Sequence, residues 1–212
     1  MIVRLMAMSM LLTSMVRAEY TIRYAEVTDL DAIITLDRAI SWEYFKPLLL
    51  EYNSDEKSID DGLEEELTHD GKIFLKAVNF QKDRRIKVAC RDDEVVGFVS
   101  FSKRLDLLYI DLLMIDRKWR GCGIGKKLLN TVCNEFLGVN QMTLFVLKNN
   151  ISARAFYEKY GFVENEIPEW GHPTDRYSYC YYVYDLFKNK KRRLIHYDVI
   201  VNARTSKQLT LR

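Results

Sequence analysis

The residues best suited to chemistry are three glycines at alternate positions, Gly121, Gly123 and Gly125, between a buried strand pattern and an amphipathic helix pattern. Glycine lets successive amide groups turn toward one point, and it has no side chain that would keep a phosphate away. The helix that follows directs its free N–H groups to the same place, and Lys126 and Lys127 add positive charge. The spacing therefore predicts a cradle for a polyphosphate group.

Two widespread phosphate motifs do not fit this loop. The third glycine comes one residue too early for the dinucleotide fingerprint GxGxxG. A Walker loop needs a glycine five residues before its Gly-Lys pair, and Arg120 stands at that position. The loop therefore predicts neither a dinucleotide-binding fold nor a nucleoside triphosphatase.

A single carboxylate, Asp111, interrupts the apolar run from Leu107 to Ile115. A carboxylate in such a strand needs a partner or a purpose, because burying an unpaired charge is costly. Two roles stay open for it. Asp111 is either a general base or a strand residue that bonds a neighbouring backbone group or arginine.

Other reactive side chains give weaker patterns. Cys122 lies at the start of a predicted helix, a position that would favour a thiolate nucleophile. The three histidines are dispersed and the cysteines form no CxxC pair, so we expect no metal site and a reducing compartment. The four cysteines are Cys90, Cys122, Cys133 and Cys180.

The elements that must position these residues follow from the pattern of apolar and polar side chains. It predicts a mixed sheet with helices on both faces, in the order β-α-α-β-β-β-α-β-α-β. The region 73–79 is ambiguous. The predicted strands are 20–24, 86–90, 95–102, 107–115, 142–147 and 177–186; the predicted helices are one with Thr28 as N-cap, 42–52 interrupted by Pro47, 59–67, 125–137, and 151–160 ended by Gly161.

Length and charge limit the remaining possibilities. The 212 residues, 48% hydrophobic and 29% charged, fit one ordinary domain and exclude a disordered chain or a polytopic membrane protein. Residues 188–212 carry a net charge of +7 and the other residues −5, which is not the basic stripe of a dedicated nucleic-acid domain. Residues 51–70 hold nine acids, either a solvated helix face or a field that attracts a cationic substrate.

The first eighteen residues resemble a signal peptide, with an apolar stretch from Leu5 to Val16 and a small-residue cleavage site at 16–18. That stretch is too short to span a bilayer, which takes about 20 residues. An over-long start, with Met10 or Met15 as the initiator, and a surface helix are the alternatives.

At the glycine loop the chain resembles the GNAT superfamily of N-acetyltransferases. Arg120, Gly123 and Gly125 fill the family's Arg/Gln-x-x-Gly-x-Gly/Ala loop, and Ile115 holds the place five residues before the arginine. A second block, 150–162, looks like the family's Asn-x-x-Ala-x-x-x-Tyr…Gly-Phe segment. The resemblance covers about residues 20–187.

The resemblance implies an α/β fold in which the fourth and fifth strands, 107–115 and 142–147, part at a bulge and leave a V-shaped slot. The pantetheine arm of acetyl-CoA would pair with the backbone of the fourth strand in this slot, the amides of 121–126 would take the pyrophosphate, and Asn150 would contact the cofactor. The implied cofactor-binding residues are Leu113, Met114, Ile115, Arg120, Gly121, Cys122, Gly123, Ile124, Gly125, Lys126 and Asn150.

The resemblance also implies roles in catalysis. Tyr157 would protonate the leaving thiolate, and a backbone N–H near Met114 would stabilise the oxyanion. Asp111, nine residues before Arg120, occupies a place similar to that of the catalytic glutamate in spermidine/spermine acetyltransferases.

We therefore expect an N-acetyltransferase that moves acetyl from acetyl-CoA to a primary amine by direct attack in a ternary complex, without a metal. A non-catalytic acetyl-CoA-binding module of the same fold is the alternative. The acceptor is a small polyamine-like molecule, a protein lysine or a protein N-terminus, and a homodimer stays open. We expect no membrane span, no nucleic acid except through the basic tail, and a cytoplasmic location, where the donor is made. The expected regions are an extension, 1–19, a catalytic domain, 20–187, and a basic tail, 188–212.

Overall fold

In a computed structural model, residues 20–51, 55–79, 84–133, 135–136, 138–169 and 179–186 are described, together with all their side chains except that of Leu48. These residues form seven strands and four α-helices. The strands are β1 (Thr21–Tyr24), β2 (Arg84–Arg91), β3 (Glu94–Arg104), β4 (Leu107–Ile115), β5 (Gln141–Leu147), β6 (Val163–Asn165) and β7 (Tyr179–Asp185); the helices are α1 (Leu30–Leu50), α2 (Glu56–Val78), α3 (Ile124–Val132) and α4 (Ile151–Tyr160).

One mixed sheet of order β1-β2-β3-β4-β5-β7-β6 organises these elements. All its neighbouring strands are antiparallel except β4 and β5, which are parallel. Adjacent residues contribute to opposite faces, as the alternation of a pleated strand requires. Phe98 packs under α1 and α2 on one face, whereas Val99 packs under α3 and α4 on the other.

The expected parting of the central strands is present. Only three residue pairs, from Leu107–Gln141 to Tyr109–Thr143, join β4 to β5, and the remainder of β4 pairs with β3 alone. The register of β3 and β4 shifts by one residue, because Ser100 is opposite Leu112 while Phe101 is opposite Ile110. The extra residue is Asp111, which makes it the bulge of the central strand.

The start of α1 differs from the prediction of Thr28 as N-cap. A 3₁₀ turn over Val27–Asp29 precedes the helix. The Asp29 carboxylate accepts the backbone N–H of Glu26 at 2.7 Å and pairs with Arg23 at 2.7 Å. The prediction that Thr28 caps the helix was wrong. The carboxylate of Asp29, which also pairs with Arg23, makes the capping hydrogen bond instead.

Helices α1 and α3 also differ from the prediction. A single helix runs from Leu30 to Leu50 and contains Pro47, whereas the sequence predicted a separate helical stretch, 42–52, interrupted by that proline. Helix α3 ends at Val132 instead of continuing to Leu137. Two side chains of β2 donate hydrogen bonds to backbone carbonyl groups at this end of the helix: Lys87 to Thr131 at 3.1 Å and Arg85 to Glu135 at 3.4 Å. In a longer helix these carbonyl groups could accept helical hydrogen bonds instead.

The remaining predictions largely agree with the structure. Helix α2 differs, because it begins before the predicted helix 59–67, at Glu56, and continues through most of the ambiguous region 73–79 to Val78. Strand β6 is an additional short strand beside β7. Helix α4 has the predicted bounds, and Gly161 ends it in the left-handed conformation at φ 115°. The predictions for residues 1–19 and 188–212 lie outside the described residues.

Candidate active site

The end of β4 presents an open backbone edge to the gap beside β5. A methyl group on Gly97 of β3 would lie 2.9 Å from the carbonyl oxygen of Met114, so the backbone of Met114 faces β3. Alternation along a strand then directs the N–H and C=O groups of Leu113 and Ile115 into the gap. Arg120 donates from Nε to the Ile115 carbonyl at 3.1 Å. This edge can pair with an extended, amide-containing chain.

The glycine loop lies directly beyond this strand. Gly121 and Gly123 have φ values of 81° and 83°, and no atom lies within 4 Å of the place where a side chain would begin on either residue. The first backbone bond of α3 joins the Lys127 N–H to the Gly123 carbonyl at 3.1 Å. The amides of 124–126 precede this bond, so they have no partner within the helix. Unpaired amides at a helix N-terminus, beside glycines with open space around them, are a favourable site for an anion such as a phosphate.

Helix α4 packs closely against the same place. A methyl group on Gly125 would lie 3.2 Å from the Phe156 ring and 3.8 Å from the Leu113 side chain. The glycine is therefore needed for close approach between α3 and α4. These contacts bring the loop, the open edge of β4 and the helix that carries Tyr157 together.

Arg120 holds the loop to α1. Its guanidinium donates to both carboxylate oxygens of Glu43, at 2.8 and 2.9 Å, and to the Tyr44 hydroxyl at 3.2 Å. This ion pair lowers the pKa of Glu43. Sequence reasoning missed Glu43 and Tyr44, because nothing in their local pattern distinguishes them from other polar residues of α1.

Three further predicted cofactor residues occupy different environments. Cys122 and Lys126 are exposed on the loop and at the first turn of α3, whereas Ile124 is buried beneath it. Lys127, whose ammonium group lies 4.3 Å from the centre of the Tyr20 ring, is also at the surface. The exposed lysines leave positive charge around the cradle.

Asn150 lies at the first turn of α4, where β5 ends. Its Oδ1 accepts the backbone N–H of Ala153 and the hydroxyl of Ser152, both at 3.1 Å. The residue therefore caps the helix, which is a sufficient structural reason for an asparagine here.

Tyr157 is buried on the α3 and α4 side of the sheet. Its ring contacts Phe156, Phe162 and Tyr182, with centroid distances from 5.2 to 6.4 Å. Burial raises the pKa of its phenol. The phenol therefore stays protonated at neutral pH, which is the state that can donate a proton.

Asp111 lies on the opposite face, the one that α2 covers, where it is near Asp70. Its side chain is 8% exposed and pairs with Arg84 at 3.0 Å and Arg104 at 3.3 Å. Burial raises the pKa of this carboxyl, and the two arginines act in the opposite direction. The predicted acid and base thus lie on opposite sides of the sheet, with the open edge of β4 between them.

The structure brings most of the predicted residues together around the gap between β4 and β5.

No group of three or more His, Cys, Asp or Glu side chains among the described residues could hold a metal ion. None of the helices in the described ranges is both long enough and apolar enough to cross a membrane.

Comparison with known proteins identifies the family. The sequence model of the Acetyltransferase (GNAT) family matches residues 42–162, which is more than half of the chain. The chain belongs to the GNAT family of acetyltransferases. None of the curated proteins matches it in sequence.

Solved structures of acetyltransferases share the fold of this GNAT protein. The PaiA N-acetyltransferase of Thermoplasma acidophilum, in complex with coenzyme A, is 19% identical with a TM-score of 0.63, over 79% of this chain and 99% of that chain. A GNAT acetyltransferase of Staphylococcus aureus is 19% identical with a TM-score of 0.57, over the same shares. An acetyltransferase of Thermus thermophilus is 19% identical with a TM-score of 0.55, over 78% of this chain and 96% of that chain.

Proposed function

We propose that this GNAT protein transfers an acetyl group from acetyl-CoA to a primary amine by direct attack in a ternary complex. The observation that carries the proposal is the continuity of the glycine cradle with the open edge of β4. The glycine cradle binds the pyrophosphate of acetyl-CoA, and the open edge of β4 pairs with its pantetheine arm. The coenzyme A in the PaiA structure, which has the same fold, supports this assignment.

The binding residues follow from that continuity. The amides of 121–126 hold the pyrophosphate, and the backbone groups of Leu113 and Ile115 align the arm. Met114 supports the edge from the β3 side, and Arg120 fixes the loop through Glu43. Acetyl-CoA supplies the activated acyl group; the chain supplies orientation and proton transfer.

The attacking amine must lose a proton, because an alkylamine has a pKa of about 10.4 in water. We assign Asp111 as the base that accepts it, directly or through water. Burial favours this role, because it raises the pKa of the carboxyl and so makes the carboxylate a stronger base. The amine then attacks from the α1 and α2 side.

The tetrahedral oxygen and the leaving group need separate stabilisation. The Met114 backbone faces β3, so we assign the oxyanion donor to the N–H of Leu113 or Ile115 on the open edge. Tyr157, on the other side of the sheet, protonates the thiolate as the C–S bond breaks.

An amine panel tests the proposal. The full-length protein is incubated with acetyl-CoA and alkylamines, amino-terminal peptides or lysine peptides, and the free thiol is measured. We expect acetylated amine and thiol in equal amounts. Tight binding of acetyl-CoA with no thiol release for any amine would instead establish a non-catalytic acetyl-CoA-binding module.

The limits of the domain and its location belong to the same proposal. We assign catalysis to residues 20–187, because β7 ends at Asp185. We place the enzyme in the cytoplasm, where its donor is made. Truncation after residue 187 should leave the panel unchanged.

A further inference from the structure

The side chain of Arg120 joins helix α1, the glycine loop and the end of β4. Its Nη atoms donate to both carboxylate oxygens of Glu43, at 2.8 and 2.9 Å, and to the Tyr44 hydroxyl at 3.2 Å, while Nε donates to the Ile115 carbonyl at 3.1 Å. A guanidinium has five N–H groups, so these four bonds leave only one of them for another partner. An arginine that binds a phosphate strongly uses two parallel N–H groups. In this arrangement Arg120 therefore holds the loop in place and does not bind a phosphate in that way.

The glycine loop is only weakly held by its own atoms. Gly121 and Gly123 have positive φ values and open space where a side chain would begin. The backbone hydrogen bond across the loop, from the Cys122 N–H to the Trp119 carbonyl, is long at 3.4 Å. Glycine also loses more conformational freedom on ordering than any other residue. The conformation of the loop therefore depends on Arg120, the residue directly before the glycines.

Glu43 in turn determines where the guanidinium of Arg120 lies. Both side chains are 32% exposed, and two N–H groups meeting two carboxylate oxygens is the geometry in which a partly exposed ion pair contributes most. The pairing lowers the pKa of Glu43, so its carboxylate stays ionised at neutral pH. Lys46, three residues later, pairs with Asp60 of α2 at 2.9 Å, which fixes this part of α1. Glu43 therefore offers Arg120 a charged partner on a fixed helix.

We propose that Glu43 and Tyr44 are positioning residues for acetyl-CoA, because they hold Arg120 against Ile115 and so keep the glycine loop in the conformation that receives the pyrophosphate. This inference rests on the proposed function, since it concerns the same cofactor site. Ordering a flexible loop costs binding free energy, and a loop held in its bound conformation before the ligand arrives avoids that cost. The negative side chain of Glu43 thus strengthens the binding of an anionic cofactor, which is the opposite of what its charge alone would do.

The sign of the effect tests the proposal. Binding of coenzyme A to the full-length protein is measured by calorimetry, without an acceptor. Glu43→Gln removes a negative charge near the cradle, so electrostatics alone predicts a lower dissociation constant, whereas loss of positioning predicts a higher one. We expect a several-fold increase in Glu43→Gln and a smaller increase in Tyr44→Phe. Glu51→Gln, which changes an exposed acid just beyond the end of α1, is the control and should keep the parent affinity.

A double-mutant cycle shows whether Glu43 acts through Arg120. Arg120→Gln keeps N–H donors but loses the charge and the paired geometry. Adding Glu43→Gln to Arg120→Gln should therefore not weaken coenzyme A binding further, although each change alone does. If Glu43→Gln also lowered the melting temperature, Tyr44→Phe would make the same test with a smaller change in structure.

The outcomes separate this inference from acetyl transfer itself. Unchanged or tighter coenzyme A binding in Glu43→Gln, or additive losses in the cycle, overturns the positioning role and leaves the proposed function in place. If the parent binds coenzyme A as expected of the cycle but acetylates no amine, the positioning role stands and the proposed function fails. A parent that binds no coenzyme A refutes both.

Discussion

The two sides of the sheet differ in the groups that we propose for binding and catalysis. On the α3 and α4 side, which we call the donor side, the proposed cofactor-binding groups belong to the backbone, at residues 121–126 and along the open edge of β4. On the α1 and α2 side, which we call the acceptor side, the proposed reacting group is the buried side chain of Asp111, which pairs with Arg84 and Arg104. A backbone site needs only correct local conformation, whereas a side-chain site depends on how distant elements pack.

The difference has an electrostatic consequence. The donor side presents the amides of 124–126, which have no partner within the helix, and the exposed side chains of Lys126 and Lys127. The acceptor side buries Asp37, and this burial together with the charges of Asp70 and Glu66 favours the protonated carboxyl. Rate and stability on the acceptor side should therefore depend on pH and on the amine. Acetyl-CoA binding on the donor side should instead depend on whether a side chain is added at a glycine of the loop.

The largest expected effect is on the donor side. Gly123→Glu should abolish acetyl-CoA binding measured by calorimetry, because a carboxylate side chain would occupy the cradle and repel the pyrophosphate. Gly138→Glu is the matched control, since Gly138 also has a positive φ, 77°, and open space around it but lies outside the loop. Unchanged affinity in Gly123→Glu would disprove the cradle.

The second effect concerns the proton donor. Tyr157→Phe keeps the buried ring and removes only the hydroxyl, so kcat should fall by roughly 10²–10⁴ while acetyl-CoA affinity stays within a few-fold. Tyr160→Phe, on the same helix, loses a hydroxyl that donates to Asn130 at 2.8 Å and should keep its rate. A Tyr157→Phe enzyme as fast as the parent would mean that water supplies the proton.

The third effect tests the base on the acceptor side. Asp111→Asn should lower kcat by roughly 10² and remove the acidic limb of its pH profile, because an amide cannot accept the proton. Asp106→Asn, an exposed change in the adjacent turn, is the control. A lower melting temperature with an unaltered pH profile would instead make Asp111 only the partner of Arg84 and Arg104.

The smallest effect is on stability. Because folding raises the pKa of Asp37 from 3.8 to about 7, the folded state binds the proton more tightly, so the parent loses stability as pH rises from about 4 to 7. Asp37→Asn mimics the protonated form and should be more stable than the parent at pH 8, by on the order of 2 kcal/mol, with little difference at pH 4. Urea unfolding at both pH values measures this. A difference that is the same at both would exclude titration of Asp37.

Much of the fold and of the donor side was predictable from the sequence. Apolar periodicity indicated β4 and α4 with their observed bounds, and the alternating glycines indicated a backbone site. The bounds of α1 and α3 were less predictable, because they depend on side chains from other elements. Arg23 pairs with Asp29, the residue that caps the turn before α1, and Lys87 and Arg85 of β2 donate hydrogen bonds to carbonyl groups at the end of α3.

What the sequence determined by itself was therefore the backbone chemistry: where amides turn toward one point and which strand carries an unexpected carboxylate. Such features depend on a few neighbouring residues and on glycine's conformational freedom. Only the tertiary structure decided that Glu43 holds Arg120, that two arginines hold Asp111, and that Asp37 lies beside carboxylates of α2. The reason is that the energy of a charge depends on burial and on partners brought close by packing, and neither is encoded in a local pattern.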